Sequence, residues 1–135
     1  MKKIKVTKLS IIENEKGPIM HALKNSDNEF SRFGEIYFSE IYFGKIKGWK
    51  RHIRMQMNLI VPEGFVKFVF YDAKLNYFEE CEIGIKNYSR ITVAPGLWFA
   101  FKGLEKRNLV MNIADMEHDP NECEKKDLLD IRYNW

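Results

Sequence analysis

The chain has 135 residues, with 22 lysine and arginine against 19 aspartate and glutamate residues, and a formal net charge of +3 at pH 7. This mild charge argues against a nucleic-acid-binding protein, and the hydrophobic content of 45% argues against disorder. The length fits one domain over 1–135 with one core. Because the sequence shows neither a signal peptide nor a long apolar run, we expect no membrane contact and a cytoplasmic protein with free thiols at Cys81 and Cys123.

The first half of the chain predicts strands separated by polar turns. Residues 4–13 predict the first strand, and the alternation of lysine with isoleucine and valine over residues 1–8 is typical of an edge strand. Residues 33–43 interleave aromatic and isoleucine residues with glutamate and serine, and this composition favours another strand. Residues 47–72 then predict a strand, a turn and a second strand, with the turn formed by the Pro-Glu-Gly sequence at 62–64.

The second half continues the same pattern. We expect strands at 78–85, 90–93, 97–103 and 108–114, and one or two helical turns at 125–131. Eight to ten short strands with evenly spaced turn signals and no long amphipathic helix indicate an all-β, antiparallel sandwich or barrel, most commonly a jelly roll at this size.

A polar cluster marks the strand that begins near Lys47. His52, Arg54, Gln56 and Asn58 alternate with apolar residues, so the period of two puts them on one face. If that face points into a small barrel, these side chains line a cavity of the kind that holds a ligand. The alternative is a solvated outer face.

Several motifs extend this interpretation to a family. Gly48, His52, the turn at 62–64 and the Pro-Gly pair at 95–96 resemble a degenerate cupin. From residue 30 to 135, the chain more closely resembles the nucleotide-sugar epimerases of the dTDP-4-dehydrorhamnose 3,5-epimerase type, and it is also similar to the sugar 3,4-ketoisomerases. The sequences KGWKRH at 47–52, QMNLI at 56–60 and PGLWFAF at 95–101 carry the resemblance. It implies a cupin-type jelly roll (a double-stranded β-helix).

The chain departs from the family at the positions that carry out catalysis. The histidine base of the epimerases falls on Lys50, their tyrosine falls near Asn112, and their histidine after the Pro-Gly pair falls on Phe99. Aligned with the ketoisomerases, Lys50 replaces the first histidine, whereas His52 matches the second. The resemblance therefore implies that one acid or base group is kept.

The implied reaction is the epimerisation or ketoisomerisation of a nucleotide-activated, dTDP-linked 4-keto-6-deoxy sugar for surface polysaccharide synthesis. It needs a base near neutral pKa and a donor for the enolate oxygen. His52 is the first candidate for the base and Lys50 the second, with Tyr37, Tyr42 or Tyr71 as the donor. The candidates for substrate binding are Lys47, Arg51, Arg54, Gln56, Asn58, Trp98 and His118.

The remaining expectations concern partners and the competing function. We expect no organic cofactor, because the ketone of the substrate itself acidifies the neighbouring C–H bond. We expect no metal, because Phe99 stands where a cupin would place a histidine ligand. A homodimer is expected, because the family pairs its sheets and the first strand looks like an exposed edge. The competing hypothesis is a catalytically inactive sugar-nucleotide-binding or regulatory cupin of the same pathway.

Overall fold

The computed structural model describes residues 3–135 as a β-protein with two facing sheets. The strands are β1 (Ile4–Lys8), β2 (Ile11–Ile12), β3 (Ile19–Met20), β4 (Glu35–Glu40), β5 (Ile46–His52), β6 (Met57–Glu63), β7 (Phe65–Asp72), β8 (Tyr77–Gly84), β9 (Ser89–Val93), β10 (Trp98–Gly103), β11 (Leu109–Ala114) and β12 (Cys123–Lys125). Two short 3₁₀ helices, Pro120–Glu122 and Leu128–Asp130, precede and follow β12.

The strands form two five-stranded antiparallel sheets and one hairpin. Sheet 1 has the order β1-β9-β6-β11-β4, sheet 2 has the order β12-β5-β10-β7-β8, and β2 pairs with β3. The prediction of an all-β antiparallel fold is confirmed, and β1 is an edge strand as expected. Two boundaries were wrong: residues 4–13 divide into β1 and β2, and residue 125, expected to begin a helical turn, instead ends β12.

Alternation along β10 shows how the two sides of sheet 2 are used. Phe99 and Phe101 point into the main core between the sheets. Trp98 and Ala100 belong to a second cluster on the outer face, together with Trp49 of β5. The C-terminal segment covers this outer cluster, and the indole N–H of Trp49 donates to the backbone oxygens of Leu128 at 3.1 Å and Ile131 at 3.2 Å. These bonds fix the end of the chain beside β5.

The chain crosses from sheet 2 to sheet 1 between β5 and β6. The alternating sequence pattern continues past β5, but the strand itself ends here. The carboxylate of Glu122 takes the place of the neighbouring strand as acceptor for the backbone N–H groups. Its Oε2 accepts the backbone N–H groups of Ile53 at 3.2 Å, Arg54 at 3.1 Å and Met55 at 3.2 Å. The crossover changes the alternation, so that Met55 and the odd-numbered residues of β6 face the core.

A buried ion network holds residues 21–30 against the outer face of sheet 1. Arg90 of β9 has a side chain only 1% exposed, and it contacts Glu29 at 2.7 Å and the backbone oxygen of Ala22 at 2.6 Å. Lys5 completes the network with a 2.6 Å contact to Glu29.

We expect Arg90→Met to lower the free energy of unfolding by about 1–3 kcal/mol, because the backbone oxygen of Ala22 and one oxygen of Glu29 lose a buried donor while Glu29 keeps Lys5. Urea denaturation measures this loss. Arg107→Met is the matched control, since that ion pair with Glu63 has an arginine side chain that is 74% exposed, and its loss should cost less than about 1 kcal/mol. Equal losses in the two variants would contradict the assignment.

No helix within residues 3–135 is long and apolar enough to cross a membrane.

Candidate active site

A cavity of about 620 Å³ opens between the two sheets. Its size is within the range of small-molecule sites. Five strands and the C-terminal segment line it: Tyr37 and Ser39 of β4, Lys47 to Lys50 of β5, Met57 and Leu59 of β6, Phe99 and Phe101 of β10, Val110 and Asn112 of β11, and Lys125, Lys126, Asp127 and Asp130 near the C-terminus. Apolar walls thus surround a small set of polar groups.

The β5 wall contains both predicted acid–base candidates. Lys50 is half-buried and lines the cavity. His52 follows two residues later on the same side of the strand, just beyond the lining residues, and is 3% exposed. Its ring stacks on Phe99, a lining residue, with 5.9 Å between the ring centroids. The structure therefore brings Lys50 and His52 to one wall of the site.

His52 is paired with Glu122 through Nδ1, and both side chains are buried. Because Glu122 already accepts three backbone N–H groups, it is an ionised acceptor, and Nδ1 of His52 carries the proton. Within residues 3–135, Nε2 of His52 is buried and has no hydrogen-bond partner. In a neutral imidazole this atom holds a free lone pair, as a general base requires.

Burial and hydrogen bonding decide the charges of this pair. Burial lowers the pKa of His52 below 6.5 and outweighs the opposing effect of Glu122. For Glu122, burial alone would raise the pKa, but the bonds from His52 and from backbone N–H groups, including those of Arg54 and Met55, lower it below 4.5. At neutral pH the pair is a neutral histidine beside a carboxylate.

A stability prediction follows from the lowered pKa of His52. The unfolded chain binds a proton near pH 6.5 that the folded chain resists, so stability falls as the pH drops below about 6.5. We expect the melting temperature of His52→Asn to decline less than that of the wild type between pH 7 and pH 5. His21→Gln serves as the histidine control and should follow the wild type. Parallel curves for wild type and His52→Asn would contradict this prediction.

Tyr37 and Asn112 form the facing wall in sheet 1. They are direct partners in the register of β4 and β11, and Nδ2 of Asn112 donates to the hydroxyl oxygen of Tyr37 at 2.9 Å. Burial raises the pKa of Tyr37 above 10, against the lowering effect of the Asn112 bond. The hydroxyl is therefore protonated at neutral pH and carries its own proton next to the cavity.

Basic and acidic residues surround the cavity at its β5 and C-terminal side. Lys47 crosses from β5 to β4, where its Nζ donates to Ser39 Oγ at 3.0 Å and to the backbone oxygen of Glu40 at 2.5 Å. Four C-terminal lining residues, Lys125, Lys126, Asp127 and Asp130, were missed as site residues because their run looked like a helical turn. Their density of charge near the end of the chain was the signal available in the sequence.

The crossover places three residues that were predicted to bind substrate outside the cavity. Gln56 and Asn58 lie on the outer face of sheet 1, where their side-chain amides bond the backbone oxygen of Glu29 at 2.9 Å and 3.2 Å. Arg54 lies in the crossover itself, exposed, with a 3.2 Å contact to Asp119. The shift of alternation after β5 puts apolar Met57 into the cavity instead.

Three other residues that were predicted to bind substrate also lie away from the cavity. Arg51 points outward from β5, pairs with Glu124 at 2.6 Å and lies 4.9 Å above the Trp98 ring. Trp98 is buried in the outer cluster at 3% exposure, so its ring is not open to a base. His118 is exposed in the loop after β11, where its backbone N–H bonds Glu35 at 2.9 Å. None of the three lines the cavity.

Within residues 3–135, no group of three or more histidine, cysteine, aspartate or glutamate residues is placed to hold a metal ion.

Several known proteins resemble this chain in sequence or in structure. No family model matches the chain. The chain is 32% identical to a dTDP sugar isomerase from Desulfovibrio desulfuricans G20, over 98% of this chain and 90% of that one, with a TM-score of 0.92. The dTDP-6-deoxy-D-glucose-3,5-epimerase RmlC of Legionella pneumophila, solved with dTDP-4-keto-L-rhamnose, shares the fold, with a TM-score of 0.84 and 17% identity over 96% of this chain and 76% of that one.

A further relative comes from an archaeon. The probable low-salt glycan biosynthesis epimerase Agl13 of Haloferax volcanii is 24% identical over 131 residues, which cover 88% of this chain and 83% of the relative. The prediction of a cupin-type jelly roll is confirmed by the shared fold. From the identity, coverage and structural match to the Desulfovibrio enzyme, the chain belongs to the family of sugar-nucleotide epimerases and isomerases.

Proposed function

We propose that the protein is an isomerase that acts on a dTDP-linked 4-keto-6-deoxy sugar, by proton transfer next to the ketone, in the synthesis of a surface polysaccharide. The substrate class is supported by the name of the Desulfovibrio relative, and the pathway by that of the Haloferax relative. The observation that carries the proposal is the buried His52–Glu122 pair, whose imidazole ring stacks on Phe99, a lining residue of a cavity of about 620 Å³.

His52 takes the role of the base. Glu122 holds Nδ1–H and thereby fixes the tautomer, which leaves the lone pair of Nε2 on the other side of the ring. When the C–H bond beside the ketone breaks, its proton passes to Nε2, and its electron pair forms the double bond of an enolate. The carboxylate of Glu122 stabilises the imidazolium produced in this step.

Lys50 takes the role of the electrophile. It lines the cavity and forms no ion pair with any carboxylate of residues 3–135. An ammonium group without a fixed partner is available to the negative oxygen of an enolate, in a site where apolar walls strengthen the attraction. Lys47, Lys125 and Lys126 supply the positive charge for the diphosphate of the nucleotide.

We also propose a homodimer in the cytoplasm. Strand β4 is an edge of sheet 1, and its outward residues Ile36 and Phe38 are 45% and 60% exposed. Apolar side chains on an edge strand are typical of a covered surface. Light scattering should give twice the chain mass for the wild type and a shift to monomer for Phe38→Lys. A monomeric wild type would contradict the dimer. Two free cysteines are consistent with a reducing compartment.

Proton exchange tests the enzymatic function. The protein is incubated in D₂O with a panel of dTDP- and other nucleotide-linked 4-keto-6-deoxy sugars, and the C–H signals next to the ketone are followed by NMR. We expect these signals to disappear at a rate that depends on enzyme concentration. Tight binding without exchange over the whole panel would refute the enzyme and leave a catalytically inactive binding protein.

A further inference from the structure

Asn112 has one buried polar atom without a partner. The residue is 3% exposed and lines the cavity of about 620 Å³. Its amide Nδ2 donates to the hydroxyl oxygen of Tyr37 at 2.9 Å and to Sδ of Met55 at 3.8 Å. Within residues 3–135, Oδ1 of the same amide is buried and accepts no hydrogen bond. Because buried side-chain oxygens in native proteins are nearly always paired, the free Oδ1 indicates a partner from outside the chain.

The two contacts of Nδ2 determine which way the amide points. A thioether sulfur accepts hydrogen bonds but has no proton to donate. The edge of the amide that faces Met55 is therefore the NH₂ group. Turning the amide over would place Oδ1 against the sulfur, with two acceptors facing each other, and would lose that contact. The atom left without a partner is thus the oxygen, and it calls for a donor.

In the part of the chain that the structure describes, neither strand beside β11 supplies that donor. Asn112 is paired in register with Tyr37 of β4 on one side and with Leu59 of β6 on the other. The Tyr37 hydroxyl already contacts Nδ2. On the β6 side, the lining residues Met57 and Leu59 are apolar and have no proton to donate. The missing donor therefore has to come from the molecule that occupies the cavity.

We propose that Asn112 is a specificity-determining residue whose Oδ1 accepts a hydrogen bond from a ring hydroxyl of the sugar. This inference rests on the proposed function and adds a requirement on the substrate, a free O–H on the ring carbon that faces β11. Before the sugar binds, water can donate to Oδ1. A sugar that displaces this water with a C–H bond leaves the oxygen unpaired, whereas a hydroxyl restores the bond. A 4-keto-6-deoxy sugar has ring hydroxyls at C2 and C3, so the requirement falls on one of these two.

Binding of unreactive ligands tests this requirement without turnover. Isothermal titration calorimetry compares dTDP, dTDP-6-deoxyglucose as the parent sugar nucleotide, and the 2-deoxy and 3-deoxy forms of that parent. We expect the wild type to bind one deoxy form about 10–100-fold more weakly than the parent, as when a buried acceptor loses its donor. Asn112→Leu should bind the parent more weakly and the same deoxy form more tightly than the wild type does, which reduces the preference to within about threefold.

Two further variants separate recognition from damage to the fold. Asn112→Asp keeps an acceptor oxygen on a side chain of the same length, so the preference for the parent should remain. Asn58→Leu is the matched control, because Asn58 is also 3% exposed but lies on the outer face of sheet 1, where its Oδ1 already accepts from Thr92 at 2.7 Å. This variant should lower stability and leave the preference as in the wild type.

Each outcome decides a different point. Equal binding of the parent and both deoxy forms by the wild type would overturn the inference, even where exchange in D₂O shows an active enzyme. A wild-type preference in Asn112→Leu would overturn the assignment to this residue. If no ligand binds the wild type, dTDP included, the proposed substrate class is refuted, and this inference with it. A gain in affinity for a deoxy form supports the inference in a way that a damaged fold does not, because damage weakens the binding of every ligand.

Discussion

His52→Asn lowers the rate of deuterium exchange by about 10²–10⁴-fold, the usual contribution of a general base. The substitution is chosen because the amide N–H of asparagine can still donate to Glu122 in place of Nδ1, whereas the lone pair of Nε2 is lost. The buried carboxylate thus keeps a partner, and the effect falls on the chemical step. NMR exchange rates, with KM measured alongside, report the loss.

His21→Gln is the control for this prediction. His21 lies after β3 and is absent from the cavity wall, so its replacement should leave exchange unchanged. If His52→Asn exchanges at the wild-type rate while it binds substrate normally, the base is not His52, and the role passes to Lys50 on the same wall.

Lys50→Met lowers kcat by about 10²–10³-fold, the range found when a group that stabilises an oxyanion is removed. Methionine keeps the length and the apolar stem of lysine but removes the charge, so cavity packing should change little. Steady-state kinetics in parallel with binding of dTDP measures whether the loss lies in kcat, as an electrophile requires, or in KM, as a phosphate contact requires.

Lys50→Arg distinguishes the two chemical roles of this residue. A guanidinium remains charged at neutral pH and cannot serve as a base. If the ammonium acts on the enolate oxygen, arginine should restore part of the lost rate. An arginine variant as inactive as the methionine variant would contradict the electrophilic role and favour an amine base.

The sequence was sufficient to predict most strands, because their side chains alternate with period two and Gly or Pro marks their turns. The aromatic run of β10 is an example: the strand expected at 97–103 is Trp98–Gly103 in the structure. The antiparallel class followed from short strands and close turns. The family motifs then placed Lys50 and His52 on one strand of a cavity-bearing fold.

The direction in which the side chains of β6 point was not predictable from the local sequence pattern. Continuing the alternation of β5 past His52 put Gln56 and Asn58 inside, but the chain breaks at the crossover and restarts on the other sheet. The group that stabilises the break is Glu122, about 70 residues away in sequence, and no local pattern reveals such a partner. The C-terminal lining residues were missed because their run looked like a helical turn, whereas their position is set by the pairing of β12 with β5 and by the hydrogen bonds of Trp49 to the end of the chain.

Glu122 links two properties that protein engineers usually adjust separately. One of its oxygens holds the histidine, and the other secures the passage of the backbone from sheet to sheet. A substitution there alters the acidity of the imidazole and the course of the main chain in a single step. Mutational libraries selected for turnover should therefore keep this position fixed. Variation that tunes the reaction should accumulate in the residues of sheet 1 that line the other side of the cavity.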